Sequence, residues 1–437
     1  MVKLYINLSI MIEKTIILQS GKCAWARCFA CGWGRLVGPE PNIHRLKADI
    51  DREFSKIEKN EINRLKIFAS GSFLDTKQFP RSIWSYLVRK CKEKNIQELV
   101  IESRPEFITE QSLQDFSGIE LIVAIGLEVA DNEILKKYNK GFAVEDYIRA
   151  ANILKTAGCK LRTYLMVGLP FVKNQKISLK KSIVFARKYS QEIVLINTFP
   201  HSAAPLFDMW ISGKWKPLDK KQFNGLVKQY KNCEKDFNNF MFVPRFPKEK
   251  RVLIKGASEK ELLHPYYKVW QDYFCRFYEP KKEKNIALFI PCAFRKPYPS
   301  SKLHKAIFSV LRNLKIWPKL HPIVISSPGV IPYEFSNYYP FNSYDWPEWE
   351  ETADIKKKYV SVTQKRIESY LLAHKNYKKF YCYLKPDSES CIALRKACKK
   401  LKIKLVECLR PETYEKIKSQ KNPLSLEEAL KDLAFLT

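Results

Sequence analysis

The feature that most constrains this chain is an alternation running from Thr15 to Asn197. Short apolar runs rich in Ile, Val and Leu alternate with stretches of helical periodicity. The runs are Thr15–Leu18, Leu65–Ser70, Glu98–Glu102, Leu121–Gly126, Leu161–Val167 and Glu192–Asn197. Between them, Leu46, Ile50, Phe54 and Ile57 recur at helical spacing, and helices are expected around Ile83–Cys91, Val144–Ala157 and Ser182–Tyr189. Strands that alternate with helices pair in parallel, because each crossover must return the chain to the same edge. The expected fold class is α/β: a partial (β/α)6 barrel followed by a second, smaller α/β domain. Polar residues gather where the strands end: Ser72, Glu102, Arg104, Glu128 and Asn197. A lone glutamate there is usually a solvated loop residue. Repetition at the C-terminal end, where barrels build their active sites, points to a site.

The first strand runs into Cys23-Ala-Trp-Ala-Arg-Cys28-Phe-Ala-Cys31-Gly-Trp-Gly34. Three thiolates can hold three irons of a four-iron cluster and leave one iron open. A structural zinc site is the alternative. It wants four ligands, usually in two pairs, and the next cysteine, Cys91, stands alone far downstream. Gly32 and Gly34 are expected to allow tight turns beside the cysteines.

The C-x4-C-x2-C spacing resembles, in variant form, the radical-SAM superfamily, whose common motif is C-x3-C-x2-C. The resemblance implies that Cys23, Cys28 and Cys31 ligate a [4Fe–4S] cluster and that S-adenosyl-L-methionine binds beside it. In the common form an aromatic residue just before the third cysteine lies by the adenine. Ala30 stands there, so Phe29 or Trp33 would take that role. Gly71-Ser72-Phe73, Glu102-Ser103-Arg104-Pro105-Glu106-Phe107 and Gly126-Leu127-Glu128 resemble the elongator branch. There the corresponding strand ends contact the amino, carboxylate and ribose groups of the cofactor, which implies roles for Ser72, Glu102, Arg104 and Glu128. Within that branch, the x4 spacing and the Cys-Gly-aromatic-Gly ending resemble the archaeosine-forming radical-SAM enzymes (RaSEA), over about residues 14–245.

A formal charge of +31 over 437 residues attracts polyanions, chiefly nucleic acid or an anionic membrane surface. Lysine is abundant along the whole chain, so compositional drift is the competing account. Twelve cysteines without a disulfide framework suit a reducing cytosol, so the expected location is cytoplasmic. The Leu4–Ile12 run is too short to span a membrane, and no other apolar stretch reaches that length.

Residues 246–283 read as a basic aromatic connecting segment. Trp270, Tyr273 and Phe274 have helical spacing: either a packed helix or a stacking platform for nucleic acid. The second domain, 284–437, begins with the strand Asn285–Ile290 and enters Pro291-Cys292-Ala-Phe-Arg-Lys296-Pro297-Tyr298-Pro-Ser300-Ser301-Lys-Leu-His304. Ser300 or Ser301 can cap the helix that follows. A proline-rich connection is the bland reading. Cysteine, lysine, tyrosine, serine and histidine so close together argue for chemistry. The pattern P-C-x3-K-P-Y-x2-S-x2-H resembles the motif of archaeosine synthases (ArcS), as do Ile325–Glu334 and the stretch holding Asp345. The resemblance implies catalytic roles for Cys292, Lys296, Tyr298, Ser301, His304 and Asp345. Cys382, Cys391, Cys398 and Cys408 read as small core residues.

Together the two resemblances imply one enzyme making archaeosine in the tRNA D-loop. The second domain would add free L-lysine to the nitrile of 7-cyano-7-deazaguanine. The barrel would then cleave the lysine adduct to the formamidine. Implied partners are tRNA, an electron donor such as ferredoxin or flavodoxin, and ArcS or a tRNA-guanine transglycosylase, with no membrane. Two other readings stay open: another elongator-like tRNA modifier with an RNA-binding C-terminal domain, and a zinc-and-RNA binding protein.

Overall fold

The computed structural model describes residues 12–237 and 243–436. The Leu4–Ile12 run, Ile12 apart, lies outside them. The chain divides into two compact units, Met1–Met241 and Phe242–Thr437. The 246–283 segment therefore falls inside the second unit.

The first unit is a parallel sheet in strict sequence order: β1 (Glu13–Ile17), β2 (Arg64–Phe68), β3 (Glu98–Glu102), β4 (Glu120–Glu128), β5 (Lys160–Val167), β6 (Glu192–Asn197) and β7 (Glu234–Asp236). The sequence shows six apolar runs. The seventh strand escapes that pattern because Glu-Lys-Asp has no apolar residue. It pairs with β6 over three positions. Helices cover the outer face. In Ile43–Phe54, for example, Asn42 accepts from the Arg45 N–H at the N-cap, and Leu46, Ile50 and Phe54 are buried.

The inner face is layered. A middle layer of Val100, Ile122 and Ala124, with Tyr164 against it, is apolar. Below it, at the strand starts, stands an ion network. Arg64 donates to Glu98 at 2.6 Å and, through two nitrogens, to Glu192 at 2.6 and 3.2 Å, while Arg162 pairs with Glu192 and Glu234. Arg64 and Arg162 are buried, so each guanidinium must keep partners to offset desolvation. Above the apolar layer, Glu102 is hydrogen-bonded by Tyr164. The lumen is thus closed below by paired charge and polar above.

The second unit holds a five-stranded sheet ordered β10-β9-β8-β11-β12: β8 (Ile286–Pro291), β9 (Leu320–Ser326), β10 (Gly329–Pro332), β11 (Lys379–Cys382) and β12 (Leu405–Glu407). Only β10 is antiparallel. Residues Pro265–Arg276 form a helix that buries Tyr267, Trp270, Tyr273 and Phe274. The Trp270 indole donates to the Tyr339 carbonyl at 3.0 Å. These rings are core, which overturns the stacking-platform reading: fully buried faces cannot take a base. Cys382, Cys391, Cys398 and Cys408 are all buried. No helix among the described residues is long and apolar enough to cross a membrane.

Candidate functional site

The cysteine loop leaves β1 at its C-terminal end. Cys23, Cys28 and Cys31 are all half-buried and free. The Gly34 N–H donates to Cys31 Sγ at 3.3 Å, and Cys28 Sγ lies 4.0 Å from the Lys140 carbonyl. Gly34 lies between two sulfurs: a Cβ there would come within 3.5 Å of Cys23 Sγ and 3.6 Å of Cys31 Sγ. Gly32 faces the His201 ring so closely that a Cβ would lie 1.8 Å from Nδ1. Neither glycine has positive φ. They are required for close approach of side chains, not for the tight turns the sequence suggests.

Loop and strand ends are tied together. The Phe29 N–H donates to the Tyr138 carbonyl at 2.8 Å, and its own carbonyl accepts from Leu206 at 3.1 Å. The Trp25 indole donates to the Asn139 carbonyl at 2.7 Å, and the Arg104 guanidinium lies over its ring. Arg104 donates to the Lys140 carbonyl at 3.0 Å and pairs with Glu106, while its backbone N–H donates to Ser72 Oγ at 3.0 Å. Lys140 donates to Glu128 at 2.5 Å. Glu128 takes φ +68° beside a register shift in β4, which turns its carboxylate to Lys140.

The electrostatics follow from burial. Burial raises the Cys31 thiol pKa, and nearby Lys140 opposes it. Burial disfavours the Lys140 cation, but Glu128 and Cys28 outweigh it and its pKa is raised. Glu102 is pushed up to about 7 by burial, against hydrogen bonds from Tyr164 and the Ala69 backbone. Its carboxyl is enclosed by neighbours although part of its surface stays accessible.

The residues suit a thiolate-held cluster with an amino acid beside it. Among the described residues no three His, Cys, Asp or Glu side chains converge on one metal-ion position. In a four-iron cluster each thiolate takes its own iron. Arg104 Nη2 is buried without a partner, as are Asn197 Oδ1 and Thr198 Oγ1. A buried guanidinium nitrogen with nothing to donate to, beside the cysteine loop, suits a carboxylate. Of the two aromatic candidates, Phe29 packs against Phe171 at 5.1 Å, whereas Trp33 is exposed and lies edge-on to His201 at 4.9 Å. Lys140, His201 and Tyr164 carried no signal in sequence. They reach the site through folding alone.

The second constellation follows β8. Cys292 is half-buried, and burial raises its thiol pKa, with Glu348 adding to the rise while Lys296 and Ser326 oppose it. Burial lowers the Lys296 pKa, with Cys292, Asp345 and Glu348 opposing. The Lys296 ammonium lies 3.9 Å from the Tyr344 ring centre. Tyr298 and Tyr344 hydroxyls are 2.6 Å apart, and Tyr344 also bonds Ser326.

The structure gives three motif residues their surroundings. His304 is fully buried. Its Nε2 bonds the Pro291 carbonyl at 3.0 Å, and its ring stacks on Tyr298 at 5.1 Å. Burial depresses its pKa to about 4. Ser301 caps the helix Lys302–Leu311 by accepting the His304 N–H at 3.1 Å and is buried. Tyr298 is buried, with its hydroxyl against that of Tyr344. Asp345 pairs loosely with Lys255 at 3.8 Å. Cys292 and Asp345 both act electrostatically on Lys296. Glu348, Ser326 and Tyr344 join them from distant sequence.

The radical SAM superfamily matches residues 20–178, and a domain of unknown function, DUF5591, matches 267–424. The chain carries a radical SAM domain followed by a DUF5591 domain. The cofactors that go with a radical SAM domain are a [4Fe–4S] cluster and S-adenosyl-L-methionine. Among its relatives is the archaeosine synthase subunit beta of Methanosarcina acetivorans, 27% identical over 215 residues, 46% of this chain and 62% of that protein. Another is the archaeosine synthase subunit alpha of Thermoplasma acidophilum, 29% identical over 138 residues, 31% of this chain and 25% of that one. The tRNA uridine(34) acetyltransferase of Methanocaldococcus infernus is 29% identical over 259 residues, covering 47% and 46%. The chain spans about half the length of the curated relatives it matches.

Proposed function

We propose that this chain is a tRNA-modifying enzyme that carries both steps of archaeosine formation. The DUF5591 domain adds lysine to the nitrile of 7-cyano-7-deazaguanine, and the radical SAM domain cleaves the adduct to the formamidine. One observation carries the reading: relatives named for the two subunits of archaeosine synthase match a single chain that has both domains.

In the first unit, Cys23, Cys28 and Cys31 hold the cluster. Arg104 takes the cofactor carboxylate, Ser72, Glu102 and Glu128 line the strand ends around it, and Trp33 or Phe29 faces the adenine. The bound cofactor supplies a carbon radical when an external donor such as ferredoxin or flavodoxin delivers an electron. The protein binds, orients and excludes water.

In the second unit the amine nitrogen of lysine bonds to the nitrile carbon. Lys296, whose pKa burial lowers from the ordinary lysine value, takes a proton from that amine and returns it to the nitrile nitrogen. The net change is addition of one N–H across the C≡N bond, giving an amidine. Cys292 beside it can add first as a thioimidate, its thiol proton going to the nitrile nitrogen; the lysine amine then bonds to that carbon, the C–S bond breaks, and the amine proton returns to the thiolate. Asp345 and Glu348 keep negative charge beside Lys296.

The test is mass spectrometry of tRNA nucleosides after anaerobic incubation of the reconstituted chain with nitrile-bearing tRNA, lysine and S-adenosylmethionine. Appearance of the lysine adduct and then the formamidine is the expected result. Absence of both would leave the second reading, an elongator-like modifier, which the similarity to the tRNA uridine(34) acetyltransferase favours.

A further inference from the structure

Two aromatic side chains near Cys292 lie outside the core of the second unit. Phe294 is 75% exposed and Trp349 is 74% exposed, yet their rings face each other at 6.2 Å with a 45° tilt. They come from different segments: Phe294 from the turn after β8, and Trp349 from the single 3-10 turn Glu348–Glu350. Each sits next to the chemistry. Phe294 is two residues past Cys292, and Trp349 follows Glu348, whose charge acts on both Cys292 and Lys296. Among the described residues the Trp349 indole N–H makes no hydrogen bond within the chain. Neighbouring Arg295 is exposed.

We propose that Phe294 and Trp349 are a stacking clamp that holds one extruded nucleobase of an RNA substrate over Cys292 and Lys296. The inference rests on the lysine-addition reading and deepens it by assigning the groups that seat the base. Exposed rings gain little from water, so a persistent exposed pair is a contact surface in waiting. A planar heterocycle between two rings needs about 7 Å between their centres, twice the carbon contact distance. The pair stands at 6.2 Å, so a small swing of the exposed Phe294 ring opens the slot. The occupant is a base and not an apolar peptide because charged groups of both signs flank the rings: Arg295 and Lys296 flank Phe294 and can meet a phosphate, while Glu348 and Glu350 flank Trp349 and can meet the N–H edge of a base. Cys292 and Lys296 cannot reach a group on a base stacked within a helix, so the base must leave the stack and find new faces to rest on. The Glu348 carboxylate beside Trp349 can accept from the N–H edge of a guanine-like base, as acidic side chains do elsewhere.

The test uses the full chain and tRNA carrying 7-cyano-7-deazaguanine. Lysine addition is followed with Phe294→Ala, Trp349→Ala, Phe294→Tyr and Trp349→Phe. Loss of one stacking face should raise KM for tRNA about ten- to hundred-fold with kcat changed much less, and the aromatic replacements should restore most of it. In parallel, tryptophan emission is recorded on titration with the same tRNA and with tRNA bearing guanine at that position. The nitrile tRNA should quench the wild-type chain, and Trp349→Phe should remove that quenching. Unchanged KM in both alanine variants would overturn the clamp while leaving lysine addition intact. Quenching that depends on Trp349, without any lysine adduct, would keep the clamp and overturn the lysine reading. Quenching that survives in Trp349→Phe would place the base elsewhere.

Discussion

The two cysteine-bearing turns of this molecule follow the same local plan and are built differently. Each leaves the C-terminal end of a parallel strand, β1 in one case and β8 in the other. In the first unit the thiols are surrounded by groups from other strands that carry formal charge: Arg104, Lys140 and Glu128. In the second, Cys292 is backed by neutral side chains, Ser326, Tyr298 and Tyr344, and its one lysine, whose pKa burial lowers, has Asp345 and Glu348 near it. Fixed charge suits a site that must hold charged ligands. A lysine of lowered pKa suits a site that must move a proton. The difference predicts that the two turns respond to different perturbations.

The largest expected effect breaks the comparison outright. Cys28→Ala should lose the cluster, its visible absorbance and all cleavage of S-adenosylmethionine, because three thiolates cannot spare one. The same variant should still add lysine, and the adduct should accumulate on tRNA. Iron analysis and nucleoside mass spectrometry read both. A variant that keeps full iron would remove Cys28 from the ligand set.

Next comes the other turn. Lys296→Met should slow lysine addition by at least about 100-fold, the usual contribution of a positioned proton carrier, with iron content unchanged. Cys292→Ser sharpens this. It keeps the shape of the turn and removes the thiol, so near-normal rates would make Cys292 a shaping residue, and a loss equal to that of Lys296→Met would make it covalent.

How much of this was legible in sequence follows from where each residue's partners lie. The strand order and the three cysteines are local signals, carried by apolar runs and by spacing within nine residues. The ion network under the barrel was not, because Arg64, Glu98, Arg162 and Glu192 each look like a polar start to an apolar strand, and only sheet closure brings them together. The surroundings of His304 were not legible either. Its place in a motif of reactive residues suggested proton transfer, and the fold turns it inward to the Pro291 carbonyl. Ser326 and Tyr344 lie in the two later stretches that resemble the same domain, and Glu348 lies outside them; all three reach Cys292 and Lys296 only through β9 and the loops after β10.

The third prediction uses pH to separate the units. His304 and His374 are buried and neutral, each depressed to about 4 from 6.5. A depressed histidine takes up its proton in the unfolded chain first. Stability of the second unit should therefore be complete above pH 6.5 and fall as pH drops towards 4, by about 3 kcal/mol per histidine. In the first unit, Glu102 is raised from 4.5 to about 7, so its contribution runs the other way and is lost as pH rises through that window. Denaturant titrations at pH 4.5, 6 and 8 should show opposite changes in pH dependence for His304→Gln and Glu102→Gln, each compared with the unaltered chain. Parallel trends would sink the contrast.

The smallest effect concerns Ser301, and it separates folding from chemistry within one motif. Its hydroxyl accepts the His304 N–H and caps the helix Lys302–Leu311, and its side chain is buried away from solvent. Ser301→Ala should cost about 1 kcal/mol of stability, the usual value of an N-cap. Catalysis should fall only as far as the helix end, with His304 on it, loosens behind Cys292. Ser301→Asn and Ser301→Asp keep a cap acceptor and remove the hydroxyl. If Ser301 acts only as a cap, both should recover stability and lysine addition together, provided the small buried space admits the larger group. Ser301→Thr keeps cap and hydroxyl with one added methyl and controls for size. A Ser301→Asn variant that regained its unfolding midpoint but stayed as slow as Ser301→Ala would show that the hydroxyl takes part in the reaction.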